Sequence, residues 1–179
     1  AADSLLDQLH SDFSVESFEF QRGQEKDARD RLLEQLARRS EKERVLGMQV
    51  KGLKNYFLLA LKDDRVIDRV EPVIAPSLKA LDVNLLHIPI LQKRLNIRPQ
   101  DLAASQKVLY FKDPGEASAA VHSGEGQIAF FLNPTRVYQV RDVSLAGETM
   151  PSKSTFFYPK LLSGLVINPL DPHEEIIVE

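Results

Sequence analysis

Leu5, Leu6 and Leu9 fall on one side of a short helix that Asp3 or Ser4 can cap and that runs to about Phe13; Val15, Phe18 and Phe20 then suggest a strand. From Gln24 to Ser40 the apolar positions Ala28, Leu32, Leu33 and Leu36 form a helical stripe. On its polar side Glu25 with Arg29, Asp27 with Arg31 and Glu34 with Arg38 stand four apart in the favourable order. This most charged stretch reads as a solvated face laced with weak pairs, with an electrostatic docking surface as the alternative. Residues 45–51 and 55–62 are rich in strand formers, and Gly52-Leu53-Lys54 joins them as a hairpin that the polar turn Asp63-Asp64 ends.

Leu81, Leu85, Ile88 and Leu95 return to helical spacing, with Asp82 near the start where its charge suits the helix dipole. Pro89 interrupts them and predicts a kink, or two short helices, around Ile88. His87 sits just before that break, as a candidate ligand contact or general base or, more plainly, a histidine held within the packing. Asp113-Pro114-Gly115-Glu116 supplies a cap, a proline at the first helical position and a following glutamate, and Gly124 can end that helix. Asn133-Pro134 repeats the device, and Gly147 closes it. Apolar runs at 108–111 and 128–132 precede the two helices as strands, and a last strand is expected near 165–170. The class is α+β: a mainly antiparallel or mixed sheet of about five to six strands, with helices packed on one face.

At 179 residues the chain fits one domain and hides about 70% of the surface an unfolded chain exposes. It has no cysteine, which removes disulfides and thiolate metal sites. A net charge of −3 offers no basic face for a polyanion, so nucleic acid is not an expected partner. No stretch approaches a membrane span, and the first residues lack a basic start followed by a long apolar run. The expectation is a soluble, cytoplasmic chain with no membrane partner. His10, His87, His122 and His173 are scattered and none has an i, i+4 partner, so no metal site is expected; no Gly-x-Ser-x-Gly elbow occurs either.

The densest unusual chemistry is at 147–167, where Ser152, Lys153, Ser154, Thr155, Tyr158 and Lys160 surround three adjacent aromatics between Pro151 and Pro159. The segment stops one glycine short of a phosphate loop, and a helix rather than a strand precedes it. A looser anion site built by Lys153 and the hydroxyls, with Tyr158 and Lys160 behind, is one reading. The other is a rigid crossover with its aromatics in the core and its lysines in solvent. The tail, residues 171–179, is acidic and then apolar; it can fray or pair with a sheet edge.

Asn133-Pro134-Thr135-Arg136-Val137, Ala146-Gly147-Glu148 and the run from Met150 to Leu161 with Ser163-Gly164-Leu165 closely resemble the C-terminal signature of the bacterial and archaeal domain-of-unknown-function family 1015. Ser152 stands where that family's loop has a second proline. Leu46-Gly47-Met48, the run from Leu81 to Leu86, and Ile90-Leu91 also look like the family, so the resemblance runs from about Phe18 onward. It implies the C-terminal part of a longer protein, about twice this length. The N-terminal half of such proteins is similar in places to the partition-protein and sulfiredoxin-like superfamily, whose Gly-His-His-Arg type motif serves nucleotide or phosphate chemistry; this chain has no such motif. The expected partners are the N-terminal half of the same polypeptide and a phosphate-bearing small molecule. The site would be lined by Arg136 and the loop from Lys153 to Lys160. A non-catalytic module that forms a homo-oligomer is the rival expectation.

Overall fold

The computed structural model describes residues 2–103 and 107–155. In chain order the elements are α1 (Ala2–Leu9), β1 (Phe13–Glu19), α2 (Glu25–Arg39), β2 (Val45–Val50), β3 (Asn55–Leu61), α3 (Arg65–Asp68), α4 (Pro76–Lys79) and α5 (Asp82–Leu86). A π-helical turn (His87–Gln92), α6 (Pro99–Ala103), α7 (Pro114–Ser123), β4 (Ile128–Phe131) and α8 (Val137–Leu145) follow. The class is α+β, and the described sheet has four strands in the order β1-β3-β2-β4, every pair antiparallel.

Two expectations about the sheet are corrected. Residues 108–111 form no strand: Leu109, Tyr110 and Phe111 stay 42–50% exposed, without the paired neighbour that a short apolar run needs to join a ladder. The strand expected at 165–170 lies outside the described residues, among which the sheet has four strands where five to six were anticipated. Helices also cover both faces of the sheet rather than one. On one face Met48, Phe57 and Leu59 meet Leu5 and Leu9 of α1 and Leu85, Ile90 and Leu91 around the π turn. On the other, Tyr56, Leu58 and Ala60 meet Ala28, Leu32 and Leu36 of α2 and Val121 of α7. Every residue of β2, and all but the ends of β3, is therefore buried, and the unbroken apolar run of β3 is the sequence mark of a strand covered twice.

Gly47 in β2 marks the closest approach of α2. A β-carbon there would stand 2.9 Å from Leu32 Cδ2 and 3.0 Å from both Leu36 Cδ1 and Phe131 Cβ, so only glycine lets the helix lie this near the sheet.

Pro89 lacks an N–H and its ring crowds the preceding turn; the chain answers by widening into the π turn, where the amides of Lys93 and Leu95 reach back five residues to Ile88 and Ile90. The kink expected at Ile88 takes this form. Arg94, at its end, binds Gln8 O, Ser11 Oγ, Pro89 O and the Asp12 carboxylate, tying the turn to the α1–β1 corner. Burial alone pushes the Asp12 carboxyl up, but hydrogen bonds and charge from Arg94 and Lys93 hold it below its ordinary value.

Helix α7 begins and ends as its sequence predicts: Asp113 Oδ1 accepts the Glu116 amide at 3.0 Å, and Gly124 takes the left-handed conformation at φ 88°. Helix α8 ends at Gly147 as expected but starts three residues later than the Asn133-Pro134 pair suggests. Asn133 spends its side-chain amide on Leu36 O, and the Gln139 side chain accepts the Arg136 amide at 2.8 Å instead.

Candidate functional site

Two helices present one face each to a shared groove. Glu25, Lys26 and Arg29 occupy the first turns of α2, and Gly115, Ser118, Ala119 and His122 recur at helical spacing along α7. With Gly23 before α2 and Tyr56 of β3 beneath, they line a cavity of about 410 Å³. The α7 side is made of small residues, which keeps the space open.

The floor is a buried chain of hydrogen bonds. Ser118 Oγ donates to Gln49 Oε1 at 2.7 Å, and because a serine has a single proton, the Tyr56 hydroxyl 2.6 Å away donates to Ser118. Gln49 therefore turns its amide nitrogen toward His122 Nε2 at 3.5 Å, an arrangement that suits an imidazole carrying its proton on Nδ1. The Tyr56 ring is fixed from the sides by Phe20 and Phe131, with centroids 5.4 and 6.1 Å away.

The walls carry charge that the protein matches only in part. The Arg29 side chain is only 18% exposed, and its Nε is sealed from solvent with no hydrogen-bond partner. The nearest carboxylate oxygen, Asp30 Oδ1, is 3.9 Å away, too far for a hydrogen bond. Its guanidinium lies against the first turn of α7, since a β-carbon on Gly115 would come within 3.5 Å of Nη1. Glu25 is half-buried and, among the described residues, takes part in no ion pair, whereas Lys26 is satisfied by Asp30 at 2.6 Å. A partly buried guanidinium with no hydrogen-bond acceptor among the described residues is chemically able to receive an anion.

A larger concavity of about 570 Å³, lined by Arg65, Asp68 and Arg69, lacks this character. Both arginines already face Asp63, at 2.8 and 3.8 Å, and Asp68 holds Lys79 at 2.6 Å.

The residues singled out from the sequence lie elsewhere. Arg136 and the 150–155 loop are brought together, because the Thr135 hydroxyl donates to Ser154 O at 2.6 Å, but the Arg136 guanidinium reaches Ser40 Oγ at 3.2 Å, by the end of α2. Ser154 spends its own hydroxyl on Pro151 O at 2.6 Å. Ser152, Lys153 and Thr155 are exposed, with Lys153 in a left-handed conformation at φ 63°. Tyr158 and Lys160 lie outside the described residues. His87 is half-buried at the start of the π turn, where burial lowers its imidazole below the ordinary range. Near Arg136, burial raises the Asp82 carboxyl, opposed by the charges of Arg44 and Arg136.

Arg29, Glu25, Ser118 and His122 were thus missed as site residues. The i, i+4 rule pairs Glu25 with Arg29, Asp27 with Arg31 and Glu34 with Arg38, yet none of these pairs forms; Arg31 binds Glu19 O and Arg38 binds Gln35. The readable signal was the small face Gly115, Ser118, Ala119 ending in His122. Among the described residues no group of three or more histidine or acidic side chains is placed to hold a metal ion, and no helix is long and apolar enough to cross a membrane. No family model, curated protein or solved structure matches the chain.

Proposed function

We propose that this domain binds a small anionic molecule, bearing a carboxylate or phosphate, in the groove between α2 and α7. The observation that carries the reading is Arg29, a mostly buried side chain lining the groove whose guanidinium has no hydrogen-bond acceptor among the described residues, its two terminal nitrogens being the ones a ligand can reach. A bidentate anion would satisfy that fork directly. Ala119 and His122, the exposed residues of α7 in the groove, form the surface against which the rest of the molecule rests. The resemblance to family 1015 supports a longer protein in which a preceding half completes the site, with Arg136 and the Lys153 loop as a second contact surface for that half.

Calorimetry with orthophosphate, citrate and short carboxylic acids tests the reading. Arg29→Gln abolishes binding, whereas Lys153→Ala leaves it within about twofold, because the two sites are separate. Equal affinity in wild type and Arg29→Gln sinks the groove, and loss in Lys153→Ala alone moves the site to the loop.

A second reading is favoured by exposed apolar side chains: Leu109, Tyr110 and Phe111 before α7, and Val137, Tyr138 and Leu145 on α8, the last 80% exposed. A homo-oligomer would cover such residues. Light scattering across concentrations decides: dimerisation that Leu145→Lys abolishes, with no anion stabilising the fold, supports the interaction module.

A further inference from the structure

We infer that the groove's ligand is a zwitterion, carrying an ammonium group beside its anion, and that its best fit is a free amino acid. The inference rests on the anion-binding reading and adds its other half. Glu25 and Arg29 sit one helical turn apart in the order that ordinarily forms a pair, and both line the same cavity. Neither is fully solvated: Glu25 is half-buried and the Arg29 side chain is 18% exposed. They nevertheless make no ion pair with each other, and among the described residues Glu25 accepts no side-chain hydrogen bond. The other fixed charge in the groove, Lys26, is already matched by Asp30.

What remains open is therefore one acceptor and one donor fork, borne on residues four apart in α2, about 6 Å of rise along its axis. A ligand with a lone anion answers Arg29 and is repelled by Glu25. A cation alone answers Glu25 and is repelled by Arg29. A molecule with both charges on neighbouring atoms answers both, and a planar carboxylate matches the guanidinium in two parallel hydrogen bonds. The side chain of such an amino acid would lie toward Ala119 and His122, the exposed residues of α7 in the groove.

Thermal-shift and calorimetric titrations of the full chain use the standard amino acids one by one, the carboxylic acids that lack only the amino group, phosphoethanolamine and orthophosphate. The expected result is that at least one amino acid binds ten times or more tighter than its deaminated counterpart, on the order of one charge-assisted hydrogen bond. Glu25→Gln erases that preference while retaining the carboxylic acid; Arg29→Gln loses both. Phosphoethanolamine binding tighter than any amino acid, with the same dependence on Glu25, keeps the zwitterion and replaces its carboxylate with phosphate. A deaminated acid that binds as tightly as its amino acid overturns the zwitterion and leaves the anion site standing. Titrations in which no probe binds overturn both.

Discussion

Glu25 and Arg29 face one cavity from adjacent turns of the same helix, and no ion pair joins them. Such an arrangement costs stability, because a partly buried charge faced only by Asp30 at 3.9 Å loses hydration and recovers little. Arg29→Met, which keeps the length and removes the charge, is expected to leave the fold unchanged or to stabilise it by about 1 kcal/mol, as urea unfolding would register. A loss above about 2 kcal/mol would assign Arg29 to the scaffold instead.

Beneath the groove, Ser118 is the hinge of the buried polar chain. Ser118→Ala strands the Tyr56 hydroxyl and Gln49 Oε1 together and is expected to cost about 2–3 kcal/mol, whereas Tyr56→Phe removes only the terminal donor and costs about 1 kcal/mol. In the double variant the second change costs less than it does alone, and denaturation of all four proteins measures that coupling.

Gly47 fixes how closely α2 approaches the sheet. Gly47→Ala drives a methyl group into Leu32, Leu36 and Phe131 and is expected to destabilise by about 1–3 kcal/mol. Leu36→Ala, costly by itself, costs less in the Gly47→Ala background because it vacates part of that space. Additive effects in chemical denaturation would show that the backbone, not the leucine, absorbs the strain.

His87 confers a pH dependence whose direction is set. Its folded imidazole resists protonation because of burial, while the unfolded chain takes a proton near the ordinary value of 6.5. The unfolded state then binds more protons as pH falls below that value, so stability decreases on acidification through this window and is fully present above it. Asp12 loses its contribution only at still lower pH, below the ordinary carboxylate value of 3.8. Urea midpoints measured from about pH 7 to pH 5 should fall in the wild type and fall less in His87→Gln.

The elements were legible where local chemistry and packing agree. The β2–β3 hairpin, the Asp113 cap and the Pro89 interruption each follow from a few adjacent residues, and each stands where the sequence places it. The 108–111 run misleads because strand formers need a partner strand, and pairing is not a local property. Asn133 misleads for a similar reason: its side chain has a better use at Leu36 O, far away in sequence, than at the helix start. The groove was hidden by the same non-locality. Arg29 belongs to a charged helix whose residues all look solvated, and only the seating of α7 across it reveals that the guanidinium is enclosed. Chemical density pointed to Lys153 instead, yet the hydroxyls of Thr135 and Ser154 there serve main-chain carbonyls.

The most direct measurement is a nuclear magnetic resonance titration of the arginine Nε–H signals, with the Arg29 resonance assigned by its absence in Arg29→Lys. With no ligand the Arg29 Nε–H lacks an acceptor. Added orthophosphate or an amino acid, bound at the terminal nitrogens of the same guanidinium, should shift that signal in a saturable manner, while the Arg136 signal stays in place. A titration that moves Arg136 and leaves Arg29 untouched would contradict the account.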